Sequence, residues 1–169
     1  AVEHVRSHQA IHEVLITGGE PLWNRANLEA AINGLMDIDH VNTIRIATRS
    51  IVYYPELFLK NDSDYVRYLV EKNQQCLNRG KRIEMGIHVV HPDELSIQSL
   101  DLVSCFVQNG IQVYVQTPFL GGINNSGQAL ARLFTLLRQA GAQIYYIFAP
   151  CSPIHGTKAY WSSIDQAVE

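Results

Sequence analysis

The sequence predicts an α/β fold of about five parallel strands with alternating helices, and two observations predict it. Strand-sized, β-branched runs recur five times, and the segments between them carry apolar residues at three- and four-residue spacing. Such alternation implies parallel strands joined by right-handed crossovers. On that pattern alone a doubly wound sheet and a β/α barrel both remain open. With 169 residues, 47% of them hydrophobic, the chain suits one domain, residues 1–169, with a core of its own.

Taken in order, the chain opens on a short helix, followed by a first strand at residues 13–17 (EVLIT) and a helix at 27–36. A second strand at 43–48 (TIRIAT) leads through the polar stretch 60–64 (KNDSD), read as a loop with Asp62 or Ser63 as a cap, into a helix at 64–78. The third strand, 82–88 (RIEMGIH), precedes a helix at 95–108 that Gly110 stops. The fourth, 111–117 (IQVYVQT), precedes a helix at 128–139 that Gly141 stops, and the fifth is 142–148 (AQIYYIF). Residues 160–169 start another helix. A complete β/α domain normally begins with a strand, so a missing amino-terminal strand and loop are expected. That absence would leave an unpaired sheet edge beside residues 13–17, favouring self-association or disorder there.

Composition narrows the function classes. Thirteen basic and 16 acidic residues are mixed along the chain, so no polybasic stripe is present to hold nucleic acid. No apolar run approaches the roughly 20 residues that cross a bilayer, and residues 1–10 lack the core of a secretory signal. A cytoplasmic protein without nucleic-acid or membrane partners is expected. Cys76, Cys105 and Cys151 are odd in number and far apart, which argues for reduced, mostly buried thiols.

In parallel β/α folds the ligand lies beyond the carboxyl ends of the strands. That rule selects residues 17–22 (TGGEPL), 48–50 (TRS), 88–92 (HVVHP), 116–118 (QTP) and 149–152 (APCS). Two glycines after a strand let backbone approach a ligand, and Glu20 then offers a carboxylate to a cationic amino group. A tight turn capped by an acid would look the same. Strand alternation sets Arg45 and Arg49 on one side and Ile46 on the other. A buried arginine needs an anion, which a substrate carboxylate, a cofactor phosphate or a structural acid such as Glu20 or Glu84 would supply. His88 and His91 form an H-x-x-H, but positions three apart on a strand face opposite ways and Pro92 sets His91 in a turn, so no metal site is expected there.

Residues 14–22 (VLITGGEPL) resemble the Gly-Gly-Glu motif that radical S-adenosylmethionine enzymes carry after their second strand. Residues 44–49 (IRIATR), 88–92 (HVVHP), 116–117 (QT), 122–124 (GIN) and 145–146 (YY) are similar, in order, to blocks of the lysine 2,3-aminomutase family. The resemblance covers nearly the whole chain and implies a partial β/α barrel. It implies that Gly18, Gly19 and Glu20 hold S-adenosylmethionine, with Thr48, His88 and Gln116 as further cofactor contacts. Arg45, Arg49 and Ser152 would then face the substrate. It further implies a [4Fe–4S] cluster, pyridoxal phosphate, an external reductant such as flavodoxin or ferredoxin, a small amino-acid substrate and a homo-oligomer.

Three departures accompany it. The C-x-x-x-C-x-x-C cluster loop would precede Ala1 and the three cysteines present cannot imitate it, so the chain alone is expected to be inactive. Ser152 follows Cys151 where lysine-acting members have an aspartate, which leaves the identity of the amino acid open. The lysine that would hold pyridoxal phosphate belongs to a carboxyl-terminal segment, and Lys158 is too near the last strand to be taken as its equivalent. By resemblance, the reaction moves an α-amino group to the β carbon after a 5′-deoxyadenosyl radical removes hydrogen. The alternatives are a radical enzyme acting on another substrate, such as a protein-bound lysine, and an iron-independent β/α-barrel lyase or hydrolase using His88 and Glu20 as acid and base.

Overall fold

The computed structural model describes residues 1–149 and 160–162, leaving aside the side chains of residues 61–63. Five parallel strands form one sheet in the order β1-β2-β3-β4-β5: β1 (Glu13–Ile16), β2 (Thr43–Thr48), β3 (Arg82–His88), β4 (Gln112–Pro118) and β5 (Gln143–Phe148). Helix α1 (Val2–Ser7) precedes β1, and α2 (Arg25–Met36), the short α3 (Ser50–Tyr53) with α4 (Glu56–Leu77), α5 (Ile97–Gln108) and α6 (Gly127–Gln139) make the crossovers. The strand order follows the chain without reversal. Helices α4, α5 and α6 pack one against the next on a single face. A doubly wound sheet would reverse its order and carry helices on both faces, so the topology is that of an open segment of barrel wall.

The core lies between sheet and helices. Ile44, Ile46, Ile83, Met85, Ile87, Val113 and Val115 alternate toward the helices and are fully buried. Ile32 of α2, Phe58 and Leu69 of α4, Phe106 of α5, and Leu133 and Leu137 of α6 meet them. Serine and asparagine caps start α2, α5 and α6. Asn24 accepts from the Asn27 amide, Ser96 from Ser99 and Ser126 from Ala129. Gly110 and Gly141 adopt φ of 77° and 92° past α5 and α6, a conformation that ends a helix at little cost only for glycine.

One expected boundary differs. Residues 60–64 were expected as a loop, yet they lie inside α4, which begins after Pro55. Phe58 is fully buried and meets Tyr65 and Phe106 edge-on at 5.8 Å, so apolar packing carries the helix through its polar stretch. At the opposite end of the sheet from the strand carboxyl ends, the Lys81 ammonium is buried and donates to the carbonyls of Ile38, Asp39 and Val41 at 2.6, 3.2 and 2.6 Å. It thereby satisfies the carbonyls of the turn between α2 and β2. No described helix is long and apolar enough to cross a membrane.

Candidate functional site

Among the described residues nothing covers the face of the sheet away from the helices, and the residues of that face define the site. Register brings Ala47 of β2 beside Gly86 of β3, Gly86 beside Tyr114 of β4, and His88 beside Gln116. Above them, at the carboxyl ends of the strands, opens a cleft of about 290 Å³. Gly19, Glu20, Thr48, Arg49, His88 and Gln116 line it, together with Tyr53 and Phe148. Six of the predicted site residues therefore share one hollow. Gly18 lines an adjoining hollow with Pro21 and Asn24.

The Gly-Gly-Glu turn is held by β2 rather than by crowding. Gly18 and Gly19 have φ of 102° and 58°, and a Cβ on either would meet nothing within 4 Å. It is the left-handed backbone that calls for glycine here. That turn swings Glu20 onto the end of β2. Its Oε1 accepts from the Thr48 hydroxyl at 2.7 Å and from the Leu22 amide at 3.3 Å, and its Oε2 accepts from the Arg49 amide at 3.0 Å. Leu22 is buried, and its carbonyl accepts from the Tyr65 hydroxyl of α4 at 2.8 Å. Burial, with the neighbouring Tyr68 next in weight, pushes the Tyr65 phenol up to about 12, so it stays a donor.

Of the two arginines, only Arg49 lines the cleft. Its guanidinium reaches Glu94 at 3.3 Å, and it remains substantially exposed. Arg45 makes two hydrogen bonds to Glu84 Oε2, at 2.9 and 2.7 Å, and lies over the rings of Tyr114 and Tyr145. Burial opposes its charge, but the bond to Glu84 and that carboxylate's field raise its pKa. The structural acid, Glu84, is thus the anion that Arg45 finds. Thr48 likewise uses its hydroxyl on protein groups, donating to Glu20 and accepting from the Ser50 amide at 3.0 Å. Ser152, Cys151 and Lys158 lie outside the described residues, as does all but residues 160–162 of the helix expected over residues 160–169.

His88 stands on the inner face of β3, 5.9 Å from the Phe148 ring. Its Nε2 is shielded and has no hydrogen-bond partner among the described residues. Burial first, and the charge of Arg49 second, lower its pKa against the opposing pull of Glu94, which keeps the imidazole neutral near pH 7. His91 turns away and caps the turn Pro92–Glu94, its Nδ1 accepting from the Asp93 amide. The two histidines do not converge. Among the described residues no group of three or more His, Cys, Asp or Glu could hold a metal ion.

Several features of the cleft went unread in the sequence. Ala47 and Gly86 make its floor, and glycine inside a buried strand is itself a sign of close approach. Asn124 is fully buried and donates to the carbonyls of Val90 and Pro118 at 2.8 and 2.7 Å while accepting from the Leu120 amide at 2.7 Å. It ties the loop after β3 to the loop after β4. A bulge opposite Val115 and Gln116 lets successive tyrosines of β5 turn the same way, which strict alternation forbids. Tyr145 reaches Arg45, while Tyr146 pairs with Gln116 and meets Phe148.

No family model matches the chain. It is 31% identical over 169 residues to a putative L-lysine 2,3-aminomutase of Aquifex aeolicus, covering 99% of this chain and 44% of that protein. It is 26% identical to the glutamate 2,3-aminomutase of Clostridioides difficile, covering 100% of this chain and 37% of that protein. To the L-lysine 2,3-aminomutase of Methanococcus maripaludis the identity is 25%, over 100% of this chain and 36% of the relative. The chain spans about two fifths of the length of these curated relatives. Over its whole length, it is a distant homologue of the lysine and glutamate 2,3-aminomutases.

Proposed function

We propose that the cleft is the S-adenosylmethionine end of a radical 2,3-aminomutase that acts in the cytoplasm on a small amino acid and draws electrons from an external reductant. The observation that carries this reading is Glu20. A carboxylate held by Thr48 and the Arg49 amide stands in one cleft with Arg49, His88 and Gln116, in a chain homologous to aminomutases throughout.

The cleft fits S-adenosylmethionine in three respects. Glu20 offers a carboxylate to its ammonium group, an unpartnered imidazole nitrogen is available for a polar contact, and the small residues Ala47 and Gly86 leave room above the sheet. When bound with a reduced cluster, S-adenosylmethionine supplies a carbon-centred radical that takes hydrogen from the substrate. The residues of this chain bind and orient. Arg49 is the exposed cation at the cleft and would take a carboxylate. Neutral His88 would hydrogen-bond without adding charge, and Tyr53 and Phe148 would help to exclude water.

The described residues do not fit the other two groups. Cys76 and Cys105 lie on α4 and α5, outside the cleft lining, and no lysine lines it. The cluster ligands and the lysine for pyridoxal phosphate are expected elsewhere in the polypeptide.

The test uses the full-length polypeptide, reconstituted anaerobically with iron and sulfide, reduced, and assayed for 5′-deoxyadenosine formed from S-adenosylmethionine. Glu20→Ala should lower that rate about 30-fold or more, as expected for removing one partner of a charged pair. No deoxyadenosine from the wild type, together with lyase or hydrolase activity in iron-free protein, would replace this reading with the iron-independent one.

A further inference from the structure

We infer that Thr48 is a positioning residue for Glu20, acting on the methionyl ammonium through that carboxylate and making no contact with the ligand itself. The inference rests on the reading of the cleft proposed above and assigns Thr48 a different role from Glu20, His88 and Gln116.

The hydrogen-bond inventory of one hydroxyl carries the argument. A threonine hydroxyl has a single proton to donate. Thr48 gives it to Glu20 Oε1 at 2.7 Å, the short distance of a charge-assisted bond, and accepts from the Ser50 amide at 3.0 Å. Thr48 edges the cleft, but its side chain is buried and alternation sets it on the same side of β2 as Ile46, opposite Arg45 and Ala47. No donor is left to offer a ligand.

The carboxylate has the opposite balance. Glu20 receives three donors, from Thr48, Leu22 and Arg49, and a carboxylate has about four lone-pair positions. One acceptor position therefore remains, and its direction is fixed because both oxygens are tethered at once. Without Thr48, Oε1 would keep only the longer 3.3 Å contact from Leu22, and the carboxylate could rotate away from the cleft. A charged partner bound at a fixed angle is preorganised, and that is the contribution Thr48 makes.

A double-mutant cycle separates the roles, with S-adenosylmethionine and 5′-methylthioadenosine as the two ligands and calorimetric affinity on the reconstituted full-length protein as the readout. Methylthioadenosine has no amino-acid moiety, so its binding does not involve Glu20 in this scheme. It also reports that each variant is folded. Thr48→Val should weaken S-adenosylmethionine about tenfold and leave methylthioadenosine unchanged, while Thr48→Ser, which keeps the hydroxyl, should restore most of the affinity. In a Glu20→Gln background the further effect of Thr48→Val should fall below about twofold. A Thr48→Val loss that is equal for both ligands, or that persists undiminished in Glu20→Gln, would show direct contact or a general structural role and overturn the inference. A wild type that binds neither ligand would overturn the reading of the cleft and this inference together.

Discussion

Gly86 and His88 share the inner face of β3, and each shapes the cleft through what it leaves open. A Cβ on Gly86 would lie 3.7 Å from Arg45 Cδ and 3.9 Å from Gln116 Nε2, which is ordinary contact. Gly86→Ala should therefore fold normally and gain about 0.5 kcal/mol from reduced backbone freedom, measured by urea unfolding. The larger Gly86→Val should lower S-adenosylmethionine affinity roughly tenfold with the unfolding midpoint kept. His88 gives a pH signature. Its pKa is lowered in the folded state, first by burial and then by Arg49, so below its ordinary value of about 6.5 the unfolded chain binds the proton more readily. The stability this group contributes is complete above that value and is lost as pH falls through the lowered folded value. Replacing it, as in His88→Asn, should flatten that part of the stability profile below about pH 6.5. The motif residues were legible because glycine, carboxylate and imidazole have few uses at strand ends. The partner of Arg45 was not. Alternation sets its side of the sheet, but only the register that lays Arg45 against Glu84 decides which anion it meets.

Loops become a site only when something fixes them to one another, and Asn124 does so for the loops after β3 and β4. Its amide group satisfies Val90, Pro118 and Leu120. Asn124→Ala would strip partners from three backbone groups and should cost about 3 kcal/mol in chemical unfolding. Exchange of the Leu120 amide proton should accelerate, while amides in β2 and β3 keep their protection. The same substitution should weaken ligand binding because His88 and Gln116 lie at the strand ends that these loops leave. The elements themselves were readable from apolar spacing and glycine stops, with boundaries within a few residues. Where reading failed, tertiary packing had overridden local chemistry. Residues 60–64 look like a loop, but Phe58 anchors an earlier turn of α4 in the core. The bulge in β5 leaves no mark in a run of β-formers, since only the register of β4 against β5 creates it.

At the scale of the molecule, the alternating pattern gives parallel strands, but it does not say whether helices cover one face or two. The sequential strand order answers that, and among the described residues it leaves two free edges, β1 and β5, with an uncovered inner face between them. Leu15 on β1 is 51% exposed, and Tyr145 and Ile147 on β5 are 50% and 45% exposed. Free parallel edges carrying apolar side chains are templates for further pairing; β5 carries a bulge, whereas β1 has neither a bulge nor a proline within it. The chain of 169 residues expressed by itself should therefore self-associate, seen in sedimentation velocity as a weight-average mass that rises with concentration. Leu15→Lys with Ile147→Lys should shift it toward monomer. Both positions are exposed, so each change should alter stability by no more than about 0.5 kcal/mol. Charge at the edges opposes association by desolvation and by like-charge repulsion between copies, and added salt should partly restore it through screening. A monomer at every concentration, with no difference between the two forms, would mean that the two edges do not attract a partner strand.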